Sequence, residues 1–277
     1  MVLRNADLRG AVFRSTTMAG AHLEGANLSG ALLQECDLGG AHLVEADLTG
    51  AVVKKSLLEK ADLTKALLNE LSAEETSFVG ANACGARLLD AHLHHCVFRK
   101  ALLKHVVLQH ARIFACDFTE ADLEAVILSH AIARICKFHQ AKAEEGNFSY
   151  CTLESSQFDH ALLTGARFVK AVLSGTTFIE SAMKNVNLRE SKLPRTVFTR
   201  AVLEGAKFSD AIMSGADLRG ANLKSARELR PSQLAAAWTG AETVLPNGRK
   251  GVYMKGTGAE RPAPPSWAQA RQSDAAG

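Results

Sequence analysis

The chain has 277 residues, 47% of them hydrophobic and 22% charged, with a formal net charge of +3, which is ordinary for a soluble protein. No run approaches the roughly 18 apolar residues of a membrane span, and the opening stretch Val2-Leu3-Arg4-Asn5-Ala6-Asp7 puts charges where a signal peptide needs its apolar segment. Residues 1–225 carry 25 Lys+Arg against 25 Asp+Glu, and the last 52 residues supply the whole +3, so the main body has no basic nucleic-acid footprint. These features predict a cytoplasmic protein with no membrane association and no direct nucleic-acid binding, non-classical secretion remaining open.

From Leu3 onward one quintet repeats, as in Ala6-Asp7-Leu8-Arg9-Gly10, Ala26-Asn27-Leu28-Ser29-Gly30 and Ala216-Asp217-Leu218-Arg219-Gly220. Taking the Leu as the central position, the chain has 45 such sites through Leu223, and 41 hold Leu, Phe, Ile, Met or Val. The exceptions are Ala73, Ala83, Ala133 and Ala143. None of the 50 charged residues of this segment, and none of the ten His, falls on the central position or on the small position two before it. Charges are not buried unpaired, so these two positions point inward. Thirteen of the segment's 15 Gly sit two residues after the centre, where a corner is needed. Neither helical nor strand periodicity produces this pattern.

The pattern resembles the A-(D/N)-L-x-x consensus of the pentapeptide-repeat family, without insertion or deletion over residues 1–225. The resemblance implies an all-β fold, a right-handed quadrilateral parallel β-helix with four quintets per coil. Twenty residues per coil gives about eleven coils and, at ~4.8 Å per coil, a rod of roughly 50–55 Å. Residues twenty apart then stack. Phe78, Phe98, Phe118, Phe138, Phe158, Phe178 and Phe198 form one interior column; Phe148 pairs with Phe168, and only Phe114 points outward. Cys36, Cys96, Cys116, Cys136 and Cys151 fall on the small inward position and read as small buried hydrophobes with reduced thiols. Cys84 is the accessible one.

Two stretches strain the pattern: Leu71-Ser72-Ala73 exchanges large and small, and Ala83, Ala133 and Ala143 lack an obvious compensating residue. Thin packing or irregular turns are predicted near 71–85 and 131–146. His92, His94 and His95 cluster in one coil, and His110 stacks with His130, but outward side chains on a convex rod rarely converge as a metal needs. No metal, cofactor or catalytic site is predicted. The outward apolar residues Val107, Phe114, Ile127, Ile132 and Ile135 lie within about two coils and form a candidate partner patch.

After Ser225 the repeat stops. Residues 226–246 are predicted as a helical cap: Pro231 suits a first helical turn, and Leu234 with Trp238 forms an apolar i,i+4 face for capping or dimer contact. In relatives such a segment caps the array and in some helps dimerise it. Residues 247–277, with few large apolar side chains, read as a flexible tail. The first coil has no obvious cap and is expected to be open to another chain or copy.

With no cleft, no nucleophile–base pair and no phosphate-cradling loop, the sequence points to a non-enzymatic binding protein. The resemblance implies two settings: a rigid protein–protein interaction scaffold, such as an accessory of a bacterial secretion system of the type VI kind, or a DNA mimic that protects a type II topoisomerase such as DNA gyrase. The expected partner is another protein, with a homodimer through one terminus as a further expectation.

Overall fold

The computed structural model describes residues 1–263. Every parallel bridge from Val2↔His22 to Lys207↔Arg227 joins residue i to residue i+20. Seven three-residue strands lie on one side of successive coils: β1 (Val12–Arg14), β2 (Leu32–Gln34), β3 (Val52–Lys54), β4 (Ser72–Glu74), β5 (His92–His94), β6 (Arg112–Phe114) and β7 (Ile132–Arg134). They pair in chain order, all parallel. The fold is a right-handed quadrilateral β-helix.

Outside one row of corners, the quintets fold the same way because their backbone bonds are the same. The central residue donates its N–H to the next coil, as Leu3 does to the His22 carbonyl at 2.7 Å. The corner then closes when the following small residue donates back to the central carbonyl, as Ala6 does to Leu3 at 3.1 Å. The residue between sits at left-handed φ, +64° at Gly10 and +56° at Lys60. These bonds spare the outward side chains, so outward identity is free.

Inside, the Phe column runs unbroken from Phe78 to Phe198. Its centroid spacings of 4.3 Å (Phe138–Phe158) to 5.2 Å (Phe158–Phe178) are set by the rise between coils. Phe148 stacks on Phe168 at 4.7 Å and meets Phe158 edge-on at 5.8 Å. Here the small residues find their partner. A Cβ on Gly146 would lie 2.8 Å from the Phe148 ring, 3.0 Å from the Ala143 carbonyl oxygen and 3.2 Å from Val126. Gly146 and Ala143 thus make the room that Phe148 fills. At Ala83 nothing does: an apolar void of about 20 Å³ is bordered there by Leu63, Phe78, Leu88 and Phe98.

One row of corners behaves differently. After β1–β7 the small residue does not donate to the central carbonyl, among the described residues, until Ser156 donates to Leu153 at 3.2 Å. In the open corners a side chain from the next coil stands in the gap. The Ser56 hydroxyl accepts the Cys36 N–H at 3.0 Å and stands 3.3 Å from the Leu33 carbonyl, with the Lys54 carbonyl the nearer acceptor of its proton at 2.8 Å. Cys116 does the same between Cys96 N–H (3.4 Å) and the Leu93 carbonyl (3.5 Å), and Ser156 between Cys136 N–H and the Ala133 carbonyl, both at 3.1 Å. Cys36, Cys96, Cys116, Cys136 and Cys151 are buried free thiols, as expected; the first four also belong to a hydroxyl–thiol column that bridges opened corners. Burial pushes the Cys136 thiol up to about 12, so it keeps its proton, which lies between the carbonyls of Arg134 (3.3 Å) and Ile113 (3.7 Å).

The C-terminal end is closed by side chains doing what another coil would do. The helix α1 (Pro231–Ala235) is a single turn. Its Gln233 amide donates to the carbonyls of Phe208 (2.8 Å) and Ala211 (2.9 Å), while Leu234 is buried on the core. Thr243 accepts from Gly240 at 2.8 Å and donates to the Leu218 carbonyl at 3.0 Å. The expected helical face pairing Leu234 with Trp238 does not form. Trp238 has already returned to the coil, bonding Ala216 and Leu218 through its backbone, and its ring is 60% exposed beside Arg219. Residues 247–263, expected as the start of a flexible tail, fold back on the cap instead: the Tyr253 N–H donates to Thr239 at 2.8 Å, and Tyr253, Ala259 and Glu260 are buried. The remainder of that expected tail lies outside the described residues. Among the described residues no helix is long and apolar enough to cross a membrane.

Candidate partner-binding face

Ladder geometry decides what each outward residue can reach. Residues i and i+20 stand side by side on adjacent coils, and opposite charges exploit this. Lys54 pairs with Glu74 at 3.2 Å, Lys104 with Glu124 at 2.6 Å, Arg134 with Glu154 at 3.0 Å and Lys170 with Glu190 at 3.4 Å. Such exposed pairs contribute about 0–1 kcal/mol each. Their larger effect is on the field: no column carries acidic residues in more than two successive coils.

The five apolar residues singled out by sequence fall on two faces. Ile132 and Phe114 belong to the strand face, where Ile132 pairs with Arg112 and Phe114 with Arg134. Val107 and Ile127 bridge one another on the preceding face, Val107 half-buried and Ile127 exposed. Between the two faces runs a corner column of rings: His110 stacks on His130 at 5.2 Å, His130 on Tyr150 at 4.7 Å, and the Lys170 ammonium lies 5.6 Å from the Tyr150 ring. The sequence signal for Tyr150 was its offset of twenty from His130.

On the strand face His94 stacks on Phe114 at 5.3 Å, and His95 meets Phe114 edge-on at 5.9 Å. A shallow groove of about 300 Å³ runs between His92, His94, Arg112, Phe114, Ile132 and Arg134. Of the clustered histidines, His94 and His95 pack on this ring. Ile135 closes this side at the corner and is unusual twice over. It is 54% exposed, and it holds φ at +58°. Among the described residues it is the only β-branched side chain in the left-handed region, where L residues pay about 1–2 kcal/mol and branched ones are outliers. Leu234, the candidate dimer contact, is consumed by the cap; Trp238 alone of that pair faces solvent.

A coiled rod with a packed interior, whose outward side chains alone can meet another molecule, is a β-solenoid. Sequence profiles agree on which one: those described as pentapeptide repeats match residues 2–30, 26–64 and 76–113, and one described as a pentapeptide repeat region matches 151–227. The chain belongs to the pentapeptide-repeat family. It is similar in structure to HetL from Nostoc sp. strain PCC 7120, involved in heterocyst differentiation regulation, with 22% identity, 89% of this chain and 92% of HetL covered, and a TM-score of 0.50. Fainter likenesses are to QnrB1, a plasmid-mediated fluoroquinolone resistance protein (19% identity, 72% and 84% covered, TM-score 0.35), and to a protein of the Arabidopsis thaliana thylakoid lumen (18%, 46% and 74%, TM-score 0.32). No curated protein sequence matches it.

Proposed function

We propose that the chain is a non-enzymatic scaffold that binds another protein through the face around Phe114, Ile132 and Ile135. The observation that carries this is Ile135. A strained, exposed, branched apolar residue lowers the stability of the free rod at a position where Gly, Glu or Lys serves in other coils. Such strain is found where a residue is used for something else. His94, stacked on Phe114, and the Arg112 side chain give the same face polar edges, and Ile127 extends it around the His130 corner. Of the two settings the family resemblance implies, an accessory of a secretion apparatus suits this surface better than a DNA mimic, because its charge alternates along the columns instead of forming an acidic stripe. The homodimer remains a proposal of lower rank, with Trp238 as its exposed aromatic.

The test uses opposite signs. Replacing Ile135 by Gly relieves the left-handed strain and raises stability by about 1 kcal/mol, read as a higher thermal midpoint. The same variant, and Phe114→Glu, should lose a partner captured by a photo-cross-linker placed at Ile132. A partner captured equally by all three proteins sinks the proposal. A gyrase supercoiling assay with a quinolone, in which the chain protects the enzyme, would move the reading to the topoisomerase.

A further inference from the structure

On a flat face of this rod, residues i, i+2 and i+20 are mutual neighbours, a convergence that the picture of a convex rod misses. One such trio unites the side chains that hold transition metals. The imidazole nitrogens of His22 and His42 and a carboxylate oxygen of Glu24 lie within 4.8 Å of one another, the one such group of three among the described residues. The parallel bridge His22↔His42 sets the two histidines side by side, their rings 4.7 Å apart and within 5° of parallel. Glu24 Oε1 is 3.0 Å from His22 Nδ1. Among the described residues the other eight histidines form no such trio: His94 and His95, for example, pack on Phe114, and His139 and His160 each face one acid.

We propose that His22, Glu24 and His42 bind one divalent transition-metal ion of the Zn²⁺ class, leaving its other coordination positions open. Two imidazoles and one carboxylate suit borderline ions with nitrogen and oxygen ligands. A cation already occupies the spot. The Arg4 guanidinium lies 3.1 Å from His22 Nδ1 and 3.2 Å from Glu24. Metal binding requires Arg4 to swing out, which its exposed position permits. It also requires the two rings to turn about Cβ–Cγ, because parallel imidazoles aim their lone pairs side by side and not at one point. The ion would add a side-chain tie between the second and third coils on this face, beside the backbone bonds.

The full chain, free of any polyhistidine tag, is titrated with Zn²⁺ by calorimetry at pH 7.5, with Co²⁺ absorption as a second readout of ligand number. One equivalent is expected. His42→Ala and Glu24→Gln should each weaken it by about tenfold or more, while Arg4→Gln should tighten it by removing the competing cation. All three side chains are on the surface, so these variants fold. His94→Ala should leave binding unchanged. Absence of binding to the wild-type chain, binding untouched by His42→Ala, or binding weakened by Arg4→Gln overturns the proposal.

Discussion

Replacing Phe158 by Ala is expected to cost about 3–5 kcal/mol, the largest effect of any single substitution argued for this protein. Phe158 is fully buried. It stacks on Phe138 at 4.3 Å and on Phe178 at 5.2 Å, and it meets Phe148 (5.8 Å) and Phe168 (6.2 Å) edge-on. With Phe178, which meets Phe168 edge-on at 5.8 Å, it locks the two Phe columns to each other. Ala there forfeits the transfer energy of the ring and leaves a void that coils held by fixed backbone bonds cannot collapse. Because each coil contacts only its neighbours, the loss should be local. Amide exchange should accelerate in the coils around residues 138–178 before it does near the termini, alongside a lower thermal midpoint. Phe114→Ala serves as the comparison, since Phe114 is 39% exposed and its removal opens no void. Equal destabilisation by the two substitutions would show that the interior columns do not hold the rod together.

That interior was legible because the exclusion of charge from two positions in five leaves one register only. The family resemblance supplies four quintets per coil, and the resulting period of twenty puts Phe78 to Phe198 in one line. The face was less legible. Val107 and Ile127 fall close to Ile132 when distance is counted in coils, yet a step of five residues turns a corner, which is why the candidate patch bends around His130. Ile135 shows the limit more sharply. Its exposure follows from the register, but its strain depends on the left-handed backbone that every corner shares and on its being the branched residue there. The segment after Ser225 has no period to read, so the buried Gln233, Thr243 and Tyr253 gave no signal in composition.

The bonding of the cysteine column gave no sequence signal for a related reason, and one substitution series separates simple packing from bridging. The small inward position accepts Ala, Ser, Thr and Cys alike, so size alone predicts that Ser156→Ala is harmless or mildly stabilising. The bonding pattern predicts the opposite. Ser156 is fully buried and bridges the opened corner between Cys136 N–H and the Ala133 carbonyl, both at 3.1 Å. Removing its hydroxyl strands a donor and an acceptor in an apolar interior, which costs about 1–3 kcal/mol. Ser156→Cys keeps a weaker bridge, of the kind Cys116 already makes at 3.4 and 3.5 Å, and should cost less. Cys151→Ala provides the contrast: Cys151 lies in a corner whose backbone bond to Phe148 is closed at 3.3 Å, so no corner opens when its thiol is lost. Its effect should therefore be smaller than that of Ser156→Ala. Thermal unfolding of the three variants decides the matter, and a Ser156→Ala protein as stable as the parent would return the column to simple packing.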